Sequence, residues 1–346
     1  MAEKNFHEGL QLQALGDDEV TFLSSKTADI CDNSKSKKSE TKKRDLSVKD
    51  ICNDLLRKSH QKQCGELVKR LETGQLCLWN KEERGIPNEL ARCAIFSAKN
   101  RKEKRDVYKA SAPLVVPILG GGKVLYFGEE LRQDDETVWM QLVHIAKEAR
   151  NEWISFVPHA FIKSINWPVK KDSYIRLLNS IRRLSAGGIE VYSKRFDRGL
   201  KTQLVHTYEY SNGESTPWRV KVFDREDGLL FLFDKLYSRQ DWEMRLSLPV
   251  GIATWLLGYF SSHKEPYDHK IETLATYALL KLHDPTDDAL DEPARIARHK
   301  ERLRDAKKII IRGLQALKDK GFFLDFQVSR SNLVSVRRVR DQRPIQ

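Results

Sequence analysis

Apolar residues beyond residue 84 follow two rhythms, one spaced three and four apart and one alternating in short blocks. The stretch 86–100, IPNELARCAIFSAKN, has Pro87 near a helix start and apolar positions 90, 91, 94, 95 and 98, which predicts a helix. APLVVPILGGGKVLYFGEEL reads as two strands around a glycine turn. DDETVWMQLVHIAKEA predicts an acidic-started helix with Val138, Leu142, Val143, Ile145 and Ala146 inward. A short strand, WISFVP, a helix, HAFIKSI, a turn at NWP and a longer helix, KDSYIRLLNSIRRLSAGG, come next. Three strands, GIEVYSK, LVHTYEY and WRVKVFD, close the unit, with SNGES as a turn.

Helix, strand, helix, turn, longer helix and hairpin is the order of a winged helix, a helix-turn-helix with an antiparallel wing. On its last helix Ile175, Leu178, Ile181 and Leu184 make an apolar stripe, while Asp172, Arg176, Asn179 and Arg183 make a second stripe that can face a groove. The same order then recurs: a helix in LPVGIATWLLGYFSS, a strand in PYDHKI and a helix in IETLATYALLKL, then a linker, HDPTDD, and a long basic helix from Glu292. FFLDFQV and LVSVRRVR, joined by SRSN, form the hairpin. Ile296, Leu303, Ile310, Leu314 and Leu317 mark the core side of the long helix, with Ala306 and Ile309 alongside. The expected fold class is α+β, two tandem winged-helix domains at 84–240 and 241–346, preceded by a disordered and helical N-terminal extension.

Residues 1–46 are polar and poor in large apolar groups, so they are expected to stay disordered. Residues 47–72 carry an N-cap serine, Ser47, and an amphipathic pattern, so 47–83 is expected to be a helical extension. The longest near-apolar run, 248–260, is too short for a membrane span, which needs about 20 residues. The N-terminus lacks a basic start before an apolar block, and five scattered cysteines form no CxxC pair, which together suggest a soluble cytoplasmic protein with reduced thiols.

Charge adds direction. The net charge is +12, and residues 291–343 hold 15 Lys and Arg against 7 Asp and Glu, whereas residues 1–34 hold 2 against 7. A surplus gathered on one folded segment suggests a face for a polyanion. A helix fits the major groove, where arginine reaches guanine edges and lysine or arginine pairs with phosphates. Arg295, Arg298, His299 and Arg302, in the N-terminal half of the long helix, are the base-contact candidates. Lys300, Arg304, Lys307 and Lys308, with Arg330, Arg337, Arg338 and Arg340 of the wing, are the phosphate candidates. In the first unit Lys170, Lys171, Arg176, Arg182 and Arg183 are available, for backbone contact, dimerisation or a second groove.

Catalytic signals are weak. LGGGKV fails the phosphate-loop spacing, since Pro117 stands at the first glycine position and Val124 replaces Ser or Thr. The nine histidines show no HExxH, and His144 on an apolar helix face reads as packed. No enzyme, metal or cofactor site is expected.

RGIPNELARCAIFSAKNR (84–101) and LRQDDETVWMQLVHIAK (131–147) together resemble the TrfA-type plasmid replication initiators, a likeness that extends through SYIRLLNSIRRLSAGGIEV and spans about residues 75–340. The resemblance implies binding of double-stranded DNA at iterons, direct repeats at a plasmid origin. It also implies local opening of the origin into single strands and recruitment of host helicase and initiator proteins, with a monomer–dimer equilibrium. QLCLW (75–79) is similar to the short peptide by which bacterial proteins dock into the sliding clamp. Gln75 would bond at a pocket rim while Leu76, Leu78 and Trp79 fill an apolar groove. The alternative is that Leu78 and Trp79 pack onto the domain's own first helix. A tandem winged-helix repressor of its own gene is the competing function.

Overall fold

The structure is a computed structural model that describes residues 79–339, apart from 94, 118–121, 148–152, 194–197, 212–215, 224–232, 234–236 and 264–265. The tail and helix expected before residue 79 lie outside the described residues, as do Gln75, Leu76, Leu78 and Arg340.

Residues 84–87 form no helix. β1 (Glu83–Pro87) pairs antiparallel with β12 (Tyr237–Asp241), and Pro87 leads only into the four-residue α1 (Asn88–Ala91). Arg84–Pro87 are buried on both faces of that strand, whose partner lies about 150 residues later in sequence. β2 (Phe96–Ser97) pairs parallel with β6 (Leu131–Arg132). β3 (Val107–Tyr108) and β4 (Leu114–Pro117) both pair with β5 (Gly122–Glu129), so the strands flanking the glycine run do form an antiparallel pair.

α2 (Gln133–Ala146) follows, then β7 (Ile154–Phe156), α3 (Pro158–Ser164) and α4 (Lys171–Ala186). The strands after α4 divide between two sheets. β8 (Gly188–Ser193) and β9 (Arg198–Gln203) extend the β5 sheet in the order β3-β5-β8-β9, whereas β10 (Thr207–Glu209) and β11 (Trp218–Lys221) join β7 in the order β10-β11-β7. A hydrophobic core around Trp139, Phe161, Ile181 and Val220 fills this lobe.

β12 runs into α5 (Trp242–Ser247), which leads to the second lobe. There α6 (Ile252–Ser261), β13 (His269–Lys270), α7 (Ile271–Tyr277), a 3-10 turn (Pro285–Ala289) and α8 (Glu292–Asp319) precede β14 (Phe323–Val328) and β15 (Leu333–Arg338). Its sheet has the order β13-β15-β14, and its core gathers Leu256, Phe260, Leu274, Ile310 and Leu314. Among the described residues no helix is long and apolar enough to cross a membrane, and no three potential metal ligands come together.

Three expected core positions are corrected. Ile296 of α8 is exposed because the first buried residue of that helix is Ala306 and its N-terminal half stands clear of the core, and Ile309 is exposed because its side of the helix faces an open groove instead of the core. Ile175 of α4 is exposed as well, its inward place taken by Leu177.

Trp79 is also corrected as a docking anchor. Its ring is 3% exposed, lies against Phe233 and Tyr237, and donates from Nε1 to His144 Nδ1 at 3.0 Å. A Cβ on Gly85 would stand 2.3 Å from its Cζ3, so a glycine is what makes room for the indole. Burial holds the His144 imidazole down to about 3, neutral and able to accept that bond, and holds His269 down to about 4.

Trp79→Ala should lower unfolding stability by about 3–5 kcal/mol in urea titration, the range for a large aromatic removed from a core, where a solvent-facing anchor would cost almost nothing. An unfolded histidine titrates near ~6.5, so the unfolded chain takes up protons at His144 and His269 before the folded one does. Stability from these two groups should therefore be level above about pH 6.5 and decline from there toward pH 4; H144Q/H269Q should flatten that slope in denaturation at graded pH.

Candidate nucleic-acid interface

α8 is built to reach outward. Asp291 caps it, its Oδ1 accepting from Ala294 N at 3.0 Å, and Pro293 sits in the first turn, where a missing N–H costs nothing. At 1.5 Å per residue the helix runs about 42 Å, and half of that length precedes Ala306. Two carboxylates from neighbouring elements grip this outer half. Glu272 on α7 meets His299 Nε2 at 3.1 Å, and Asp287 on the 3-10 turn receives both terminal nitrogens of Arg302. The hydrogen bond to Arg302 holds the Asp287 carboxyl below its usual range. Arg298 pairs along the helix with Glu301 at 3.2 Å.

Another stripe of α8 is open. Lys300 and Arg304 are exposed and form no ion pair among the described residues, and Lys308, one turn on, pairs only with Asp305. Lys307 donates to Asn332 Oδ1 at 2.7 Å, which ties the β14–β15 turn to the same side of the helix. Asn332 takes a left-handed φ of 61°, a conformation asparagine tolerates, and the exposed Arg330 sits in that turn. Arg337, opposite Asp325 in the hairpin register, is exposed too. Arg295 is exposed near the start of α8.

Arg338 is corrected: its Nη1 donates to the carbonyls of Phe260 and His263, and its guanidinium lies over Phe322, so it braces the lobe from within. Among the described residues Arg295 alone of the base-contact candidates forms no ion pair; Arg298, His299 and Arg302 each hold a carboxylate. The phosphate candidates Lys300, Arg304, Arg330 and Arg337 are exposed and form no ion pair among the described residues.

In the first lobe two members of the expected polar stripe of α4, Arg176 and Arg183, turn inward, while Asp172 stays exposed. Arg176 stacks 3.6 Å over Trp167 and donates from Nη2 to Asp134 at 3.2 Å; Arg183 donates to Asp135 at 2.7 Å. Both leave the DNA-facing set. Burial pushes the Asp134 carboxyl up, but Arg176 and Arg105 outweigh it and hold the group below its ordinary value. Lys171 and Arg182 remain exposed, with Asn179 half-buried and accepting from Arg182. Arg182 also donates to the Tyr210 hydroxyl at 3.2 Å, a neighbour 28 residues away that no local pattern announces.

Residues 36–287 match the TrfA protein family. The chain belongs to that family. A TrfA relative, the plasmid replication initiator protein TrfA of Escherichia coli, is 29% identical over 241 residues, which are 67% of this chain and 62% of the relative. The chain thus spans less than two thirds of that TrfA relative's length. Among solved structures, domains 2 and 3 of RctB are similar at a TM-score of 0.47 and 10% identity, covering 73% of this chain and 98% of theirs. The Pi initiator protein in complex with iteron DNA is similar at 0.41 and 11%, covering 59% and 92%.

Within this TrfA-family chain the two classes of arginine separate by experiment. R176A should cost about 1–3 kcal/mol in thermal or urea unfolding, since it leaves the buried Asp134 short of a partner. K300A/R304A should stay within about 0.5 kcal/mol of wild type, as exposed positions away from packing do.

Proposed function

We propose that the chain is a bacterial, cytoplasmic, non-enzymatic initiator of plasmid replication that binds iterons through the second of two winged helices. The family supports the role, and the observation that carries the site is the open cationic stripe of α8, tied by Lys307 to the wing turn. Lys300, Lys307, Arg304, Arg330 and Arg337 pair with phosphates, which set affinity and register. Arg295 meets base edges from the free end of α8. Arg298, His299 and Arg302 join it by exchanging Glu301, Glu272 and Asp287 for DNA. Lys171, Asn179 and Arg182 of the first winged helix touch a neighbouring stretch of backbone.

Local opening of the origin and recruitment of host helicase and initiator proteins follow in this reading. Of the clamp-like stretch, Gln75, Leu76 and Leu78 stay candidates for the sliding clamp. Trp79 contributes only if it leaves its pocket.

A nuclease footprint on the DNA flanking the gene tests the proposal. Wild type should protect regularly spaced direct repeats, and K300A/R304A/R330A should lose those protections while R176K retains them. One palindromic footprint at the promoter would support the repressor instead.

A further inference from the structure

A groove of about 790 Å³ runs along the opposite side of α8 from the cationic stripe. Arg302, Ala306, Ile309, Arg312 and Ala316 line one wall at helical spacing, over about 21 Å of helix. The turn entering α6, with Val250 and Ile252, and the segment around Arg101 form the other wall. Its floor lies where α6 and α8 come closest: a Cβ on Gly313 would stand 2.8 Å from Leu256 Cδ1 and 3.0 Å from Ile252 Cγ2.

The lining is apolar at the bottom and cationic at the edge. Val250 is 56% and Ile309 37% exposed, large apolar side chains left in water on one concave surface. Arg101 and Arg312 are exposed at the rim and form no ion pair among the described residues, whereas the acids there are engaged: Asp305 holds Lys308 and Glu103 accepts from Asn100 N. At 100° per residue Ile309 lies roughly 140° around the helix from Arg304, so DNA held by Lys300 and Arg304 leaves the Ile309–Ala316 stretch of the groove uncovered, while Arg302 at its N-terminal end is shared with the DNA reading.

We infer that the groove docks an acidic amphipathic helix of a second protein, whose apolar residues at i, i+3, i+4 and i+7 fill the Val250–Ile309 floor and whose carboxylates meet Arg101 and Arg312. A groove whose lining follows about four turns of α8 suits a helix, and the unpaired rim charges select its sign. A second copy of this chain fits poorly. Among the described residues, the helices that expose a large apolar side chain outside the groove, α4 with Ile175 and α8 with Ile296, are themselves basic. The simultaneous occupancy of groove and DNA rests on the reading of α8 as the DNA-contacting helix; the groove itself does not.

The test places a photo-crosslinker in the full chain, Ile309→p-benzoylphenylalanine, irradiates it in host extract with origin DNA, and maps the crosslinked segment by mass spectrometry. The expected product is a segment of another protein with apolar residues at helical spacing among Asp and Glu. Its yield should fall at least fivefold with R101E/R312E, persist with R101K/R312K, and iteron affinity of all variants should stay within about twofold. Crosslinks to a second copy or within the same chain, to a basic segment, or insensitive to charge reversal overturn the inference, as does no crosslink from protein that still binds iterons. Failure of wild type to bind iterons would instead sink the DNA reading, and the crosslink map would still decide the groove.

Discussion

Four carboxylates at the entry to α2, Glu130, Asp134, Asp135 and Glu136, are withdrawn from water almost completely. Carboxylates so buried are tolerated only when cations and hydrogen bonds replace the lost hydration. The chain brings those cations from five places. Arg105 reaches Asp135 at 2.7 Å, Arg132 and Lys99 meet Glu130 at 3.0 Å, Arg176 and Arg183 come from α4, and the wholly buried Arg245 comes from α5 to Glu136 at 3.3 Å. Asp135 also accepts from Arg132 N and so caps α2. One helix start therefore fixes the loop before β3, the azimuth of α4 and the connection into the second lobe. Burial raises the Glu136 carboxyl even against Arg245, so the seam between the lobes is its least compensated part.

This arrangement frees the surface for other work. With Arg176 and Arg183 spent on Asp134 and Asp135, the open cations Lys300, Arg304 and Arg330 are those of α8 and the hairpin turn in the second lobe. α8 itself is divided by depth and by azimuth. Its C-terminal half belongs to the core, its N-terminal half projects, one side carries open cations and the other an apolar groove. Trp79 shows the same economy at the N-terminal edge, where an indole that resembles a docking anchor closes the first core over Gly85.

Much of the architecture was legible from local pattern. The helices at α2, α4, α6 and α8 and the β14–β15 hairpin fall where periodicity and turn residues predict them, because amphipathic spacing reflects which face an element buries. The strand β1 was not legible, since its partner β12 lies far along the chain. The role of Arg176 and Arg183 was hidden for a related reason. An arginine on the polar face of a helix looks the same whether it meets DNA, water or an aspartate over 40 residues away. The exposure of Ile296 and Ile309 was equally hidden, because spacing gives a face but not how far the core beneath it extends. Carboxylates in the first turn of α2 read as complements to the helix dipole, and nothing local says that six cations will close over them and Glu130.

The account turns on which cations face DNA, and the salt dependence of iteron affinity measures that directly. Each phosphate contact removed should lower the slope of log K against log salt by about 0.9. K300A/R304A/R330A should therefore bind with a slope shallower by about 3 than wild type, and R176K/R183K with an unchanged slope. An unchanged slope in the first variant, or a shallower one in the second with the fold intact, would contradict the division between scaffold and DNA-facing arginines.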